Sequence, residues 1–351
     1  MPSITKPTIP LAPLAHNELG LTIRDYEGAM STLCAGCGHD SVTAAISLAF
    51  FELSIRPRDI AKLSGIGCSS KTPTYFIRGA HGFNSAHGRM AAIATGAIAA
   101  HRGLHYIGVS GDGDSLSIGL GHLSHAIRRN VDMTYIIENN GVYGLTKGQV
   151  SPSADVGSRP KKGDANVVPP IDPMELGLAL GATFLARGFS GDKDQLVPLI
   201  KAAVAHRGFA LLDVISPCVS FNDHEGSTKS YRFFREHETH DIETDFIPQR
   251  AEIRSKVSAD SARAVTMHDG SVMYFRALPE GYDPTNRLSV EAYLAERKSA
   301  GEVPTGLLYV REGAPDLHEM SATVERPLAE IDPATLCPGR EVLESIQASF
   351  R

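Results

Sequence analysis

No apolar run in this 351-residue chain reaches the roughly 20 residues needed to cross a bilayer. No secretory leader is visible at its start, so the expectation is a cytoplasmic protein with no membrane association. Positive charge is not in excess: 34 Lys and Arg stand against 40 Asp and Glu, a formal net charge of −6. That balance argues against a nucleic-acid partner, which would be met by a basic face. Cysteine is scarce, with five residues at Cys34, Cys37, Cys68, Cys218 and Cys337. Five thiols without a leader do not suggest a disulfide framework, and a chain of this size buries an adequate core without such staples. No Gly-x-Gly-x-x-Gly follows the first strand convincingly, which sets aside the nearest competitor, a dinucleotide fold. Internal repeats and low-complexity runs are also missing.

What is present is an alternation of strand-like and helix-like segments from about 38 to 216. Apolar runs at 104–110, 133–137, 182–186 and 210–215 read as buried strands. Segments 40–53, 89–101, 173–180 and 193–206 read as helices, the second rich in Ala and Gly and hence closely packed. Such alternation predicts an α/β fold, a doubly wound and mostly parallel sheet. The expected organisation is an N-terminal Pro-rich arm at 1–30, a binding domain at 31–248 and a smaller C-terminal appendage at 249–351. The appendage is expected to hold short strands and one charged helix near 288–300. A polar loop at 150–170 either covers a bound ligand or lies exposed.

The most informative pair is Asp112 and Asn140. Asp112 sits in Gly111-Asp112-Gly113-Asp114 directly after the 104–110 strand, and Asn140 in Glu138-Asn139-Asn140-Gly141-Val142-Tyr143 after the next one. Between them Leu116, Ile118, Leu120, Leu123, Ala126 and Ile127 give a helix a broad apolar face. The unit is therefore βαβ, with polar oxygens at the carboxyl ends of two neighbouring parallel strands, where open α/β sheets bind ligands. A carboxylate and an amide oxygen suit Mg²⁺, whose shell is usually completed by a phosphate. Gly111 and Gly113 let the backbone approach that phosphate. A lone Gly-Asp-Gly would be an ordinary tight turn; the second half at the right distance changes the weighting. The arrangement resembles the signature of thiamine diphosphate enzymes.

Four cysteines form a second pattern. Cys34-Ala35-Gly36-Cys37-Gly38 is a tight knuckle, Cys68 lies in a small-residue loop after a strand-like run, and Cys218 follows the 210–215 strand. Converging thiolates hold either zinc or a [4Fe–4S] cluster, and spacing alone does not choose. A redox Cys-x-x-Cys fits poorly, since no strand leads into the knuckle in the usual pattern. Cys337, in a Pro-flanked tail, reads as a plain buried cysteine.

Together these blocks resemble the β subunit of the 2-oxoacid:ferredoxin oxidoreductases, most closely those acting on 2-oxoglutarate. The resemblance runs from about Cys34 to about Arg235. It is carried by Leu33-Cys34-Ala35-Gly36-Cys37-Gly38-His39, Ser64-Gly65-Ile66-Gly67-Cys68-Ser69-Ser70-Lys71, His87-Gly88-Arg89, the Asp112 and Asn140 blocks extending to Gln149, and Ser216-Pro217-Cys218. The resemblance implies that Cys34, Cys37, Cys68 and Cys218 hold one [4Fe–4S] cluster. It also implies that Asp112, Asn140 and the Val142 carbonyl bind Mg²⁺. Ile66, Gly67, Cys68, Ser69, His87, Gly113, Asp114, Gly144 and Leu145 match positions surrounding thiamine diphosphate. The implied reaction is CoA-dependent oxidative decarboxylation of a 2-oxo acid, with electrons passing to ferredoxin. Run in reverse it fixes CO₂.

Lys71 and Lys147 flank these loops, and either would supply the cation that a dicarboxylate such as 2-oxoglutarate needs for its distal group. The plain alternative is two solvated surface lysines. No segment resembles the pyrimidine-binding domain that supplies a catalytic glutamate; in the resembled family it lies on a separate α subunit, which implies a dimer of αβ pairs. Three other readings differ in kind: a subunit acting on pyruvate or another 2-oxo acid, a non-redox thiamine enzyme, and a non-catalytic iron–sulfur electron carrier.

Overall fold

The computed structural model describes residues 14–159, 164–239, 243–247, 262–266, 272–276, 282–337 and 339–350. Its centre is a seven-stranded sheet of β1 (Ile60–Ser64), β2 (His81–Asn84), β3 (His105–Gly111), β4 (Met133–Asn139), β5 (Phe184–Phe189), β6 (Phe209–Ile215) and β7 (Gly306–Val310), in the spatial order β7-β5-β6-β4-β3-β1-β2. Every pairing is parallel except β7 on β5. The sheet is therefore the doubly wound, mostly parallel one that the sequence predicts. All seven residues of β4 are buried, as expected of a strand covered by helices on both faces. Ile136 at its middle is fully buried, contributing about 1.5–3 kcal/mol through removal from water.

Helices α1 (Gly38–Glu52) and α5 (Lys193–Ala205) pack together, while α2 (Met90–Ala100), α3 (Leu120–Arg128) and α4 (Pro173–Leu180) form a second contiguous layer. Their ends are written locally. Asp172 caps α4 by accepting from the Met174 amide at 2.7 Å, Pro173 takes the first turn, and Gly181 closes it at φ +84°. Asp192 caps α5 in the same way through the Gln195 amide.

Three features go beyond the sequence expectation. The chain beyond 249 is not wholly an appendage: β7 completes the main sheet, and α6 (Arg287–Ser299) buries Val290, Tyr293 and Leu294 in the same core. A strand with no local partner carries no register, so its place in the sheet is set by long-range packing. Of the N-terminal arm, residues 14–30 are described, and they are fastened to the body through the fully buried Tyr26, whose hydroxyl donates to the Ile55 carbonyl. Third, the crossover after β3 starts with a π-helical turn, Asp114–Ile118. The extra residue rotates Ile118 off the core-facing stripe and leaves it exposed, while Leu116, Leu123, Ala126 and Ile127 stay buried.

Candidate active site

β2 and β3 leave β1 on opposite sides, so the strand order reverses between β1 and β3. A cleft opens there, beyond the carboxyl ends of the strands, where the geometry of open sheets favours a ligand. Ile66, Gly67, Cys68 and Ser69 line one side, following β1. Asp112, Gly113 and Asp114 follow β3, and Asn140, Val142, Gly144 and Leu145 follow β4. His87 and the displaced Ile118 complete the rim. The positions expected around Mg²⁺ and thiamine diphosphate thus come to a single place. Gly113 is required there, since a Cβ on it would stand 2.3 Å from the Tyr143 ring.

Asp112 is almost fully buried, and its Oδ2 accepts from Ser151 Oγ and Ser153 Oγ at 2.5 Å each and from the Gly141 amide at 3.1 Å. Burial nevertheless raises its pKa, against the lowering effect of the two serines. A desolvated carboxylate of this kind gains from a divalent cation. Asn140 Oδ1 accepts from the Val142 amide at 3.1 Å. The neighbouring Asn139 turns inward instead, donating to Asp213 Oδ1 and accepting from Ser153 Oγ. Asp213 in turn pairs with the buried Arg187, which also reaches Asp172. Asp114 uses both carboxylate oxygens within the protein: Oδ1 accepts from the Gly88 amide at 2.7 Å and Oδ2 from Ser110 Oγ at 2.8 Å. It pins the His87 loop to the end of β3.

The cysteine set lies beside this cleft. A Cβ on Gly144 would be 3.5 Å from Cys68 Sγ and 3.7 Å from Cys218 Sγ. Cys34 Sγ accepts from Ser220 Oγ at 3.3 Å, and the Cys37 amide donates to the Cys34 carbonyl. Burial pushes the Cys37 thiol up to about 12, with Glu138 and Cys218 adding to the effect. Cys68 and Cys218 are raised by burial too, and each feels other members of the set. Four thiolates without a cationic centre would repel one another here; a metal cluster relieves that repulsion by deprotonating and binding them. Among the described residues no three His, Cys, Asp or Glu side chains close on a point that would hold one metal ion. Cys337 is exposed, not buried as its sequence context suggests, because the short helix Pro333–Leu336 before it has no buried residue.

Lys71 and Lys147 do not line the cleft. Lys71 Nζ faces the Thr32 carbonyl at 3.4 Å and lies within electrostatic reach of Cys68. Lys147 is exposed in the turn between Val142–Tyr143 and Gln149–Val150, at φ +79°. The residues that sequence reasoning did not single out are Ser151, Ser153, Asp213 and the buried pair His39 and Glu138. Serines in a polar loop carry no signal of their own; only the fold brings them under Asp112.

Residues 65–214 match the family described as thiamine pyrophosphate enzyme, C-terminal TPP binding domain. Fold and cleft thus define a thiamine diphosphate-binding domain. The chain is 44% identical over 191 residues to the 2-oxoacid:ferredoxin oxidoreductase subunit beta of Saccharolobus solfataricus, a match covering 54% of this chain and 63% of that one. It is 36% identical over 212 residues to the 2-oxoglutarate synthase subunit KorB of Methanocaldococcus jannaschii, covering 59% of this chain and 78% of the relative. Among solved structures it resembles the 2-oxoglutarate:ferredoxin oxidoreductase from Magnetococcus marinus with 2-oxoglutarate, coenzyme A and succinyl-CoA bound. That likeness has a TM-score of 0.69 at 31% identity and covers 90% of this chain and 94% of the other. The chain belongs to the β subunits of the 2-oxoacid:ferredoxin oxidoreductase family. Among the described residues no helix is long and apolar enough to cross a membrane.

Proposed function

We propose that this chain is the thiamine diphosphate- and [4Fe–4S]-bearing β subunit of a 2-oxoglutarate:ferredoxin oxidoreductase. The reaction is CoA-dependent decarboxylation of 2-oxoglutarate to succinyl-CoA and CO₂ with electrons passing to ferredoxin, and its reverse is a 2-oxoglutarate synthase. A cytoplasmic setting suits free thiols and a reducible cluster. The observation that carries the reading is the meeting of two donor sets: hard oxygens at Asp112 and Asn140 within one cleft, and thiols whose member Cys68 forms part of that cleft's wall.

Asp112, Asn140 and the Val142 carbonyl would hold Mg²⁺, with Ser151 and Ser153 fixing the carboxylate. Gly67, Ser69, Gly113 and Gly144 would face thiamine diphosphate, which when bound supplies the electron sink that lets a 2-oxo acid lose CO₂. Ile118 and Leu145 put apolar surface at the cleft and help keep water from it. Cys34, Cys37, Cys68 and Cys218 would hold the cluster, a one-electron acceptor beside the cofactor.

An α subunit, as in the family's heterodimers, would contribute the glutamate that this chain's cleft lacks among its lining residues. Lys71, outside the cleft lining but within electrostatic reach of Cys68, would meet the distal carboxylate of 2-oxoglutarate once a partner subunit completes the site; Lys147 is the second such cation. The experiment is an anaerobic iron, sulfide and thiamine diphosphate determination on the αβ complex. Cys218→Ser is expected to lose most of the iron and the visible absorbance, whereas Cys337→Ser keeps both. Unchanged iron in Cys218→Ser would remove that residue from the ligand set.

A further inference from the structure

His39 is fully buried and stands between the two donor sets, in the first turn of α1, whose N-cap is Cys37. Its Nδ1 lies 2.6 Å from Ser216 Oγ and 3.3 Å from Glu138 Oε2, and its Nε2 lies 3.4 Å from Asn140 Nδ2. An amide nitrogen only donates, so Nε2 must be the bare, accepting nitrogen, and Nδ1 carries the proton that Ser216 accepts.

The partners on each side are informative. Ser216 is two residues before Cys218, and the Gly38 amide donates to the Pro217 carbonyl at 3.4 Å. Gly38 is packed so closely that a Cβ would stand 2.6 Å from Ser216 Oγ. The Cys37 and Cys218 loops are therefore packed against each other, with His39 bonded to the second through Ser216. On the other side, the bond from the Asn140 amide nitrogen leaves Oδ1 to accept from the Val142 amide at 3.1 Å, in a residue that lines the cleft. Glu138, completely buried, approaches His39 Nδ1 through Oε2 at 3.3 Å but makes no hydrogen bond, leaving Ser216 as the acceptor of the Nδ1 proton.

We propose that His39 is a positioning residue that couples the thiol-bound cluster to the Asn140 metal loop, so that cofactor affinity depends on the redox state of the cluster. The proposal rests on the functional reading above. Reduction would add charge among the cysteines, and His39, bonded to Ser216 on one side and to Asn140 on the other, would carry a displacement of their loops to the Asn140 side chain. By linkage, cofactor binding must shift the cluster's redox equilibrium by the same factor.

The test measures the Kd of Mg²⁺–thiamine diphosphate on the anaerobic αβ complex with its cluster oxidised and then reduced. It is run for wild type, His39→Gln and His39→Asn. Glutamine reaches the place of Nε2 and preserves the Asn140 contact; asparagine reaches only the place of Nδ1. The wild-type affinities should differ by about fivefold or more, the low end of coupling between sites. His39→Gln should keep that ratio, and His39→Asn should bring it to about one with iron content unchanged. A wild-type ratio of one, or equal ratios in the two variants, would overturn the coupling. A wild-type complex with no iron or sulfide would instead overturn the functional reading, and the coupling with it.

Discussion

Replacing Asp112 with alanine removes the acceptor to which the Ser151 and Ser153 hydroxyls and the Gly141 amide are tied. The other carboxylate that follows β3, Asp114, spends both oxygens on Gly88 and Ser110 and does not replace it. Asp112→Ala should weaken retention of Mg²⁺ and thiamine diphosphate by more than about 100-fold while leaving iron content at the wild-type level. Cofactor retained at full stoichiometry after gel filtration would disprove the assignment. A second residue gives a pH signature unrelated to catalysis. Lys62 is buried on β1, its ammonium donating to the Phe76 and Ile77 carbonyls at 2.6 and 2.9 Å. Burial lowers its pKa from 10.5 to about 8, so between those values the unfolded chain holds a proton that the folded one has released. The Lys62 contribution to stability therefore rises with pH from about 8 to about 10. Lys62→Met should lack that rise, and parallel pH–stability curves for the two proteins would contradict it.

At the scale of elements, the site depends on loops held at fixed distances from the strand ends. Gly88 occupies φ +64°, and a Cβ on it would stand 2.6 Å from backbone atoms of Ile118 and Gly119. Gly88→Ala should cost about 1–3 kcal/mol of stability and weaken thiamine diphosphate binding, because the π-helical turn and the His87 loop must separate. An unchanged melting temperature together with unchanged affinity would mean that the two elements do not brace each other. Elements were also where the sequence was most legible. The strands β3 and β4 and the helices α1, α2, α4 and α5 stand within two residues of their expected places, because their periodicity and caps are local. The π-helical turn was not legible: the apolar pattern of 116–127 fits an unbroken α-helix, and the extra residue shows itself in the bond from the Gly119 amide to the Asp114 carbonyl five positions back. β7 was hidden for the opposite reason, having a clear apolar run but a partner over a hundred positions away. Asp112 and Asn140 were readable because each directly follows its own strand, whereas Ser151, Ser153 and His39 act only through tertiary contacts.

For the whole molecule, the sheet places the oxygen donors and the thiols on the same carboxyl edge, with His39 and Glu138 between them. The ion trio of Arg187, Asp172 and Asp213 sits behind that edge and fixes Asn139, and through Ser153 it reaches Asp112. Under the proposed function a partner subunit completes the cleft, so activity belongs to the αβ complex. The most direct test of that claim is anaerobic. The complex, verified to contain thiamine diphosphate, Mg²⁺ and the cluster, is mixed with CoA and a panel of 2-oxo acids while the cluster's visible absorbance is followed. Prompt, CoA-accelerated bleaching by 2-oxoglutarate, little by pyruvate, and a weakened preference for 2-oxoglutarate in Lys71→Ala are the predicted results. No bleaching by any 2-oxo acid would contradict it.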